Sequence, residues 1–136
     1  MLDIGDPARV TAGIVLLTVV TIEVGGAFMA AVVTGRVPAT DFQRRFFRAG
    51  HAHAGVLVVL GLVCLLLSEA TALEGGWRWL ARTGVLVAAI LMPAGFFFSA
   101  AGRGRTRPSR WVALLPVGAT VLAAGVVTLG VGLLTA

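Results

Sequence analysis

Four long apolar runs organise the chain: Val10 to Val33, Gly50 to Leu67, Leu80 to Ala101 and Trp111 to Leu134. Each is close to the ~20 helical residues needed to cross a hydrocarbon core. The first run is too long for a signal-peptide core and is preceded by Asp3 and Asp6 where a leader would carry positive charge, so no cleaved leader is expected. The segment Pro38-Ala39-Thr40-Asp41-Phe42-Gln43 reads as a helix start, with Thr40 as N-cap and Gln43 closing a capping box. The second helix is therefore expected from Asp41 to about Ala72, longer than the membrane at ~1.5 Å per residue. Its first turns, carrying Arg44, Arg45 and Arg48, should lie in the interface. Trp77, Trp79 and Trp111 fall at segment ends, as aromatic anchors do. The connections near Gly35 to Ala39, Glu74 to Gly76 and Gly102 to Ser109 are short. Together these features predict an all-α integral membrane four-helix bundle, up-down-up-down, forming a single domain over residues 1–136 with both termini on one side.

Composition agrees with a multi-pass protein of the cell membrane. Of 136 residues 58% are hydrophobic and 12% charged, too apolar for one soluble domain to hide. A net charge of +5 would admit nucleic acid as a partner, but every basic residue is an Arg and these cluster between apolar runs, so lipid is the expected partner and nucleic acid is set aside. Arg36, Arg44, Arg45, Arg48, Arg103, Arg105, Arg107 and Arg110 fall on one side of the membrane, and Arg9, Arg78 and Arg82 on the other. The positive-inside rule places the first set in the cytoplasm. The lone Cys64 excludes an intramolecular disulfide and any Cys-rich metal site within one chain.

Ionisable groups inside a spanning segment cost several kcal/mol and each calls for a reason. They are Glu23, His51, His53 and, nearer an end, Glu69. With the first turn centred between Arg36 and Ala39, Glu23 lies about 14.5 residues before it and His51 and His53 about 13.5 and 15.5 after it, a shared depth of about 20 Å. The same reflection about the second turn sets Glu69 level with Arg82, a pair expected to form a structural salt bridge. His51 and His53 are about 200° apart around a helix, so one metal ion cannot readily take both. Such a helix serves two centres, or one kind of centre twice at the interfaces of a symmetric oligomer. Gly50, Ala52, Ala54 and Gly55 clear the surface around them for a flat cofactor or a close helix. The bland alternative is that each His merely hydrogen-bonds a neighbour. Glu23, beside Gly25 and Gly26, is expected to fix the tautomer of one imidazole as a hydrogen-bond acceptor, with a proton-carrying or metal-ligating role as alternatives. Met92 and Pro93 read as packing, Pro116 as a kink in the fourth helix, and the Phe96-Phe97-Phe98 run as packing and lipid contact. Gly118 and Gly125, with Thr128 and Gly132, suggest a close-packing face.

The segment Gly50-His51-Ala52-His53-Ala54-Gly55 resembles a motif of the haem-copper oxidase catalytic subunit, in which one membrane helix sends two His residues to two haems. That subunit is similar to three four-helix arcs about a pseudo-threefold axis, with the motif on the second helix of an arc, as here. The resemblance implies haem b on His51 and His53 through the iron, and propionate-binding arginines in the turn holding Arg103 and Arg105, with Arg45 and Arg48 as further candidates. It also places these turns on the outer face, opposite to the positive-inside assignment. The chain has no Tyr and no third His, so the family's cross-linked His-Tyr pair and copper site are not carried over, and a stand-alone oxygen reductase is not expected.

Three readings of function stand at this point. The first is a small membrane haem protein for electron transfer or redox sensing, its axial His ligands shared across interfaces of a homo-oligomer, a homotrimer by analogy with the three arcs. Its electron partners would be a respiratory complex or a quinone. The second is a proton or ion pathway through Glu23 and a His. The third is an inert accessory subunit of a membrane respiratory complex.

Overall fold

The computed structural model describes residues 4–136, and all regular structure among them is helical. Helix α1 (Asp6–Val33) starts with Pro7 in its first turn, where a missing N–H costs nothing. It ends at Thr34, and Gly35 adopts a φ of +75° that turns the chain toward α2. Helix α2 (Asp41–Leu67) opens on the expected capping box: the Gln43 amide donates to Thr40 Oγ1 at 3.2 Å, and the Thr40 amide donates to Gln43 Oε1 at 3.1 Å. The α-helical ladder stops at Leu67 and tightens into a 3₁₀ turn over Ser68–Ala70, with Thr71 extended, somewhat short of the Ala72 expected from sequence. Helix α3 (Gly75–Ala100) contains a buried Pro93. A 3₁₀ turn over Arg110–Ala113 leads into α4 (Leu114–Leu134). Pro116 is thus the third residue of α4, in a first turn that lacks intrahelical acceptors anyway. It helps start the helix, and the expected kink is corrected to an N-terminal role.

All four helices are long and apolar enough to cross a membrane. Side by side they form a row. Helix α3 packs along α2 on one flank and α4 on the other, whereas α1 rests on α2, and among the described residues no α1 Cα comes within 8 Å of α3 or α4. At the α3–α4 seam two glycines bring the backbones together. A Cβ on Gly84 would lie 3.0 Å from the Gly125 Cα, and one on Gly125 would lie 3.3 Å from the Leu80 carbonyl oxygen and the Val85 amide nitrogen. Backbone therefore meets backbone, the close approach that small residues permit in lipid. Met92 packs over Gly118, and Leu73 over Gly132, so the glycine face expected for α4 is its buried face.

Two apolar clusters hold the ends of the row. Met29, Val32, Phe47 and Ala100 close the end near the first turn, and Cys64, Ala81, Val85 and Leu129 the opposite one. At the first end Gln43 Nε2 donates to the carbonyls of Ala100 at 2.9 Å and Gly102 at 2.6 Å, and the Thr40 hydroxyl donates to the Arg105 carbonyl. These bonds tie the start of α2 to the turn after α3 and gather the Arg-rich segments at one end. At the other end Glu69 pairs with Arg82, as expected, and with Arg78 at 3.6 Å. Its second oxygen accepts from the Gly5 amide at 3.2 Å. Helix α1 is thus pinned at its two ends, where its buried residues Ala8, Met29 and Val32 lie, and left open along its middle.

Candidate functional site

The two histidines leave α2 on different faces, as their spacing requires. His51 turns toward α1. A Cβ on Gly25 would lie 3.3 Å from His51 Nδ1, and one on Gly26 would lie 3.6 Å from Nε2, so the glycine pair is the seat of this imidazole. Any side chain there would press on the ring. Among the described residues no hydrogen bond is made by the His51 ring.

His53 turns toward α3, its ring 5.0 Å from that of Phe96. Its Nδ1 lies 2.8 Å from the Ala49 carbonyl oxygen one turn back. A carbonyl only accepts, so Nδ1 is the donor of this bond, and among the described residues Nε2 makes no hydrogen bond. Metal-binding imidazoles are steadied in the same way, by a backbone acceptor on one ring nitrogen with the other left for the metal. Both histidines are half-buried.

An outward-facing hollow of about 470 Å³ is lined by His51, Ala52, Gly55, Val56 and Val59. One turn nearer the Arg-rich end, Asp41, Arg44, Arg45 and Arg48 line a second hollow of about 230 Å³ on the same helix. Arg44 pairs with Asp41 at 2.6 Å, while Arg45 and Arg48 are exposed. The face of α2 thus presents, in order, guanidinium groups, an imidazole and small residues. Arg103 and Arg105 are exposed in the turn after α3, at the same end of the molecule. Arg105 Nε donates to the Ala101 carbonyl at 2.6 Å, which shapes the turn. Among the described residues no hydrogen bond joins this pair to Arg45 or Arg48.

Glu23 shares the depth of the histidines but not their side of the helix. It is exposed on α1, and among the described residues no hydrogen bond links it to either imidazole. Gly25 and Gly26 lie about 200° and 300° around the helix from Glu23, so the face meeting His51 leaves the carboxylate pointing sideways. The expected Glu23–His contact within one chain is therefore not formed. Among the described residues no three His, Cys, Asp or Glu side chains cluster, and each His is a single donor on its own face.

The packing expected of the Phe96-Phe97-Phe98 run is formed, and its partners on α2 are the part that the sequence alone does not give. Phe47 stacks on Phe97 at 5.7 Å and meets Phe28 edge-on at 5.2 Å, and Phe46 meets Phe96 edge-on at 5.5 Å. These rings pack where α1, α2 and α3 meet, about one turn before the histidines. The adjacent Phe46-Phe47 pair and the Phe96-Phe97-Phe98 run were visible, but only the α2–α3 register brings them together. No protein-family model, curated protein or solved structure matches the chain.

Proposed function

We propose that this chain is a multi-pass protein of the cell membrane, its four helices running up-down-up-down, that binds b-type haem through His51 and His53 and serves electron transfer or redox sensing. The observation that carries the reading is the pair of half-buried imidazoles on different faces of one membrane-length helix, one with its Nδ1 proton tied to Ala49. An ionisable group at that depth is a functional-site candidate by default, and a pair flanked by small residues favours function over plain packing.

The residues present fit the group. The small residues Ala52 and Gly55 beside His51 leave room for a flat ring, and Arg45 and Arg48 offer charge-assisted bonds to carboxylates. Arg103 and Arg105 extend the positive charge at that end. The Phe46–Phe96 and Phe47–Phe97 pairs put apolar rings beside the imidazoles, Phe96 in contact with His53. When bound, haem would be held by His51 and His53 and would supply a one-electron iron couple, which suits electron passage over bond making.

Assembly follows from the same faces. Each imidazole faces a helix of its own chain but keeps part of its surface open, and on this reading a ring closed by rotation would bring His51 of one chain beside His53 of the next. We read the assembly as a homotrimer. Glu23 supports a partner at the outer face of α1: a carboxylate on a bare lipid-facing surface is costly, and a neighbouring chain would cover it. Haem counted by the pyridine haemochrome method in detergent-purified protein tests the reading. One haem per chain is expected, and none after reconstitution with haemin contradicts it.

A further inference from the structure

Because α1 is pinned only at its ends, its middle stands away from α3 and leaves a lateral groove of about 480 Å³, floored by α2 and open to lipid. Its volume lies in the range of small-molecule sites, roughly 300–1,000 Å³. The walls are apolar, with Ile14, Val15 and Ile22 from α1 facing Leu86, Ile90 and Pro93 from α3. Two groups differ in character at the Gly25 end: the aromatic ring of Phe97 and the imidazole of His51. Thr18 and Thr21 also line the groove, but their hydroxyls donate to carbonyls of their own helix at 2.7 and 2.6 Å. His51 is therefore the free polar donor in the groove among the described residues.

We infer that this groove binds a membrane-dissolved isoprenoid quinone, its ring at the His51–Phe97 end and its tail along the aliphatic walls toward Ile14 and Leu86. His51 lies about ten residues, or ~15 Å, into α2. A phospholipid chain reaching this depth carries no polar atom there, because its polar atoms stay with the headgroup. A quinone carries carbonyl oxygens on a flat ring that travels within the hydrocarbon layer, matching one imidazole donor beside one aromatic face. The twelve residues of α1 from Ile14 to Gly25 give a channel of ~16 Å for the tail. The inference does not require haem; where haem binds, it identifies the electron partner.

Calorimetric titration of decylubiquinone into the protein in lipid nanodiscs, against empty nanodiscs, tests it. Saturable binding of one molecule per chain is expected, abolished by Thr18→Trp and by Ile90→Trp, which fill the groove from exposed positions on either wall. His51→Leu should weaken it about tenfold through loss of one hydrogen bond. Three results would overturn the inference: no saturable binding above empty nanodiscs, binding that survives both Trp variants, or equally tight binding of a plain hydrocarbon of the tail's length. Haem counted in the same samples separates the two readings. Quinone bound to haem-free protein leaves the groove standing without haem, and haem without quinone binding removes the groove alone.

Discussion

At the scale of single residues, the two imidazoles are prepared differently. His53 is held by its own helix through Ala49 and by Phe96, whereas His51 is held only by the space that Gly25 and Gly26 leave it. Replacing either His with Ala should remove one axial ligand, converting a low-spin haem spectrum to a five-coordinate one or losing the haem. An unchanged low-spin spectrum in either variant would exclude that residue as a ligand. Gly25→Leu should act through His51, since the new side chain starts 3.3 Å from Nδ1. A lowered haem content is expected with little change in helicity by circular dichroism, and full haem retention would show that the seat is not needed. How much of the site could be read in advance follows from geometry. Depth is linear along the chain, so counting residues from the first turn placed Glu23, His51 and His53 at one level. Which way α1 is rotated depends on its contacts with α2, and those gave the inner face to the glycines and not to Glu23.

At the scale of the helices, local signals and tertiary ones separate in the same way. The capping box at Thr40 and Gln43 was legible because a cap is a matter of four consecutive residues. That Gln43 also donates to Ala100 and Gly102 was not, because it needs the register of α2 on α3. The Glu69–Arg82 pair was legible because a short turn sets its own reflection point. Gln43→Ala should cost about 1–3 kcal/mol, losing half of the capping box and leaving the buried Ala100 carbonyl without its donor. Thermal unfolding in detergent measures it; an unchanged transition would mean that the two Arg-rich segments are held together by other contacts. The glycines should rank by what they touch. Gly125→Ala pushes a Cβ into the backbone of α3 and should destabilise by about 1–3 kcal/mol. Gly61→Ala meets chiefly the end of the Leu86 side chain, which can turn aside, and should cost less. The reverse order in the same unfolding assay would contradict this account of the α3–α4 seam.

At the scale of the whole molecule, the row of four helices leaves α1 with one helical neighbour and a mid-depth carboxylate on its outer side. A partner chain would resolve both. Native mass spectrometry in detergent should show three chains, and a monomer would remove the shared-ligand arrangement. The arginines gathered at one end by Gln43 and Thr40 belong to this scale as well. Replacing Arg45 and Arg48 together, or Arg103 and Arg105 together, should shift the haem potential or weaken retention, since each change removes charge-assisted bonds to carboxylates. Unchanged potentials in both would leave these residues as determinants of membrane orientation alone. The central claim is that His51 and His53 hold haem iron, and the visible absorption spectrum of the protein purified from membranes, before and after dithionite, tests it most directly. The account predicts a Soret band that sharpens and shifts on reduction, with low-spin visible bands that vanish in His51→Ala and His53→Ala. A colourless protein that stays colourless after incubation with haemin would contradict it.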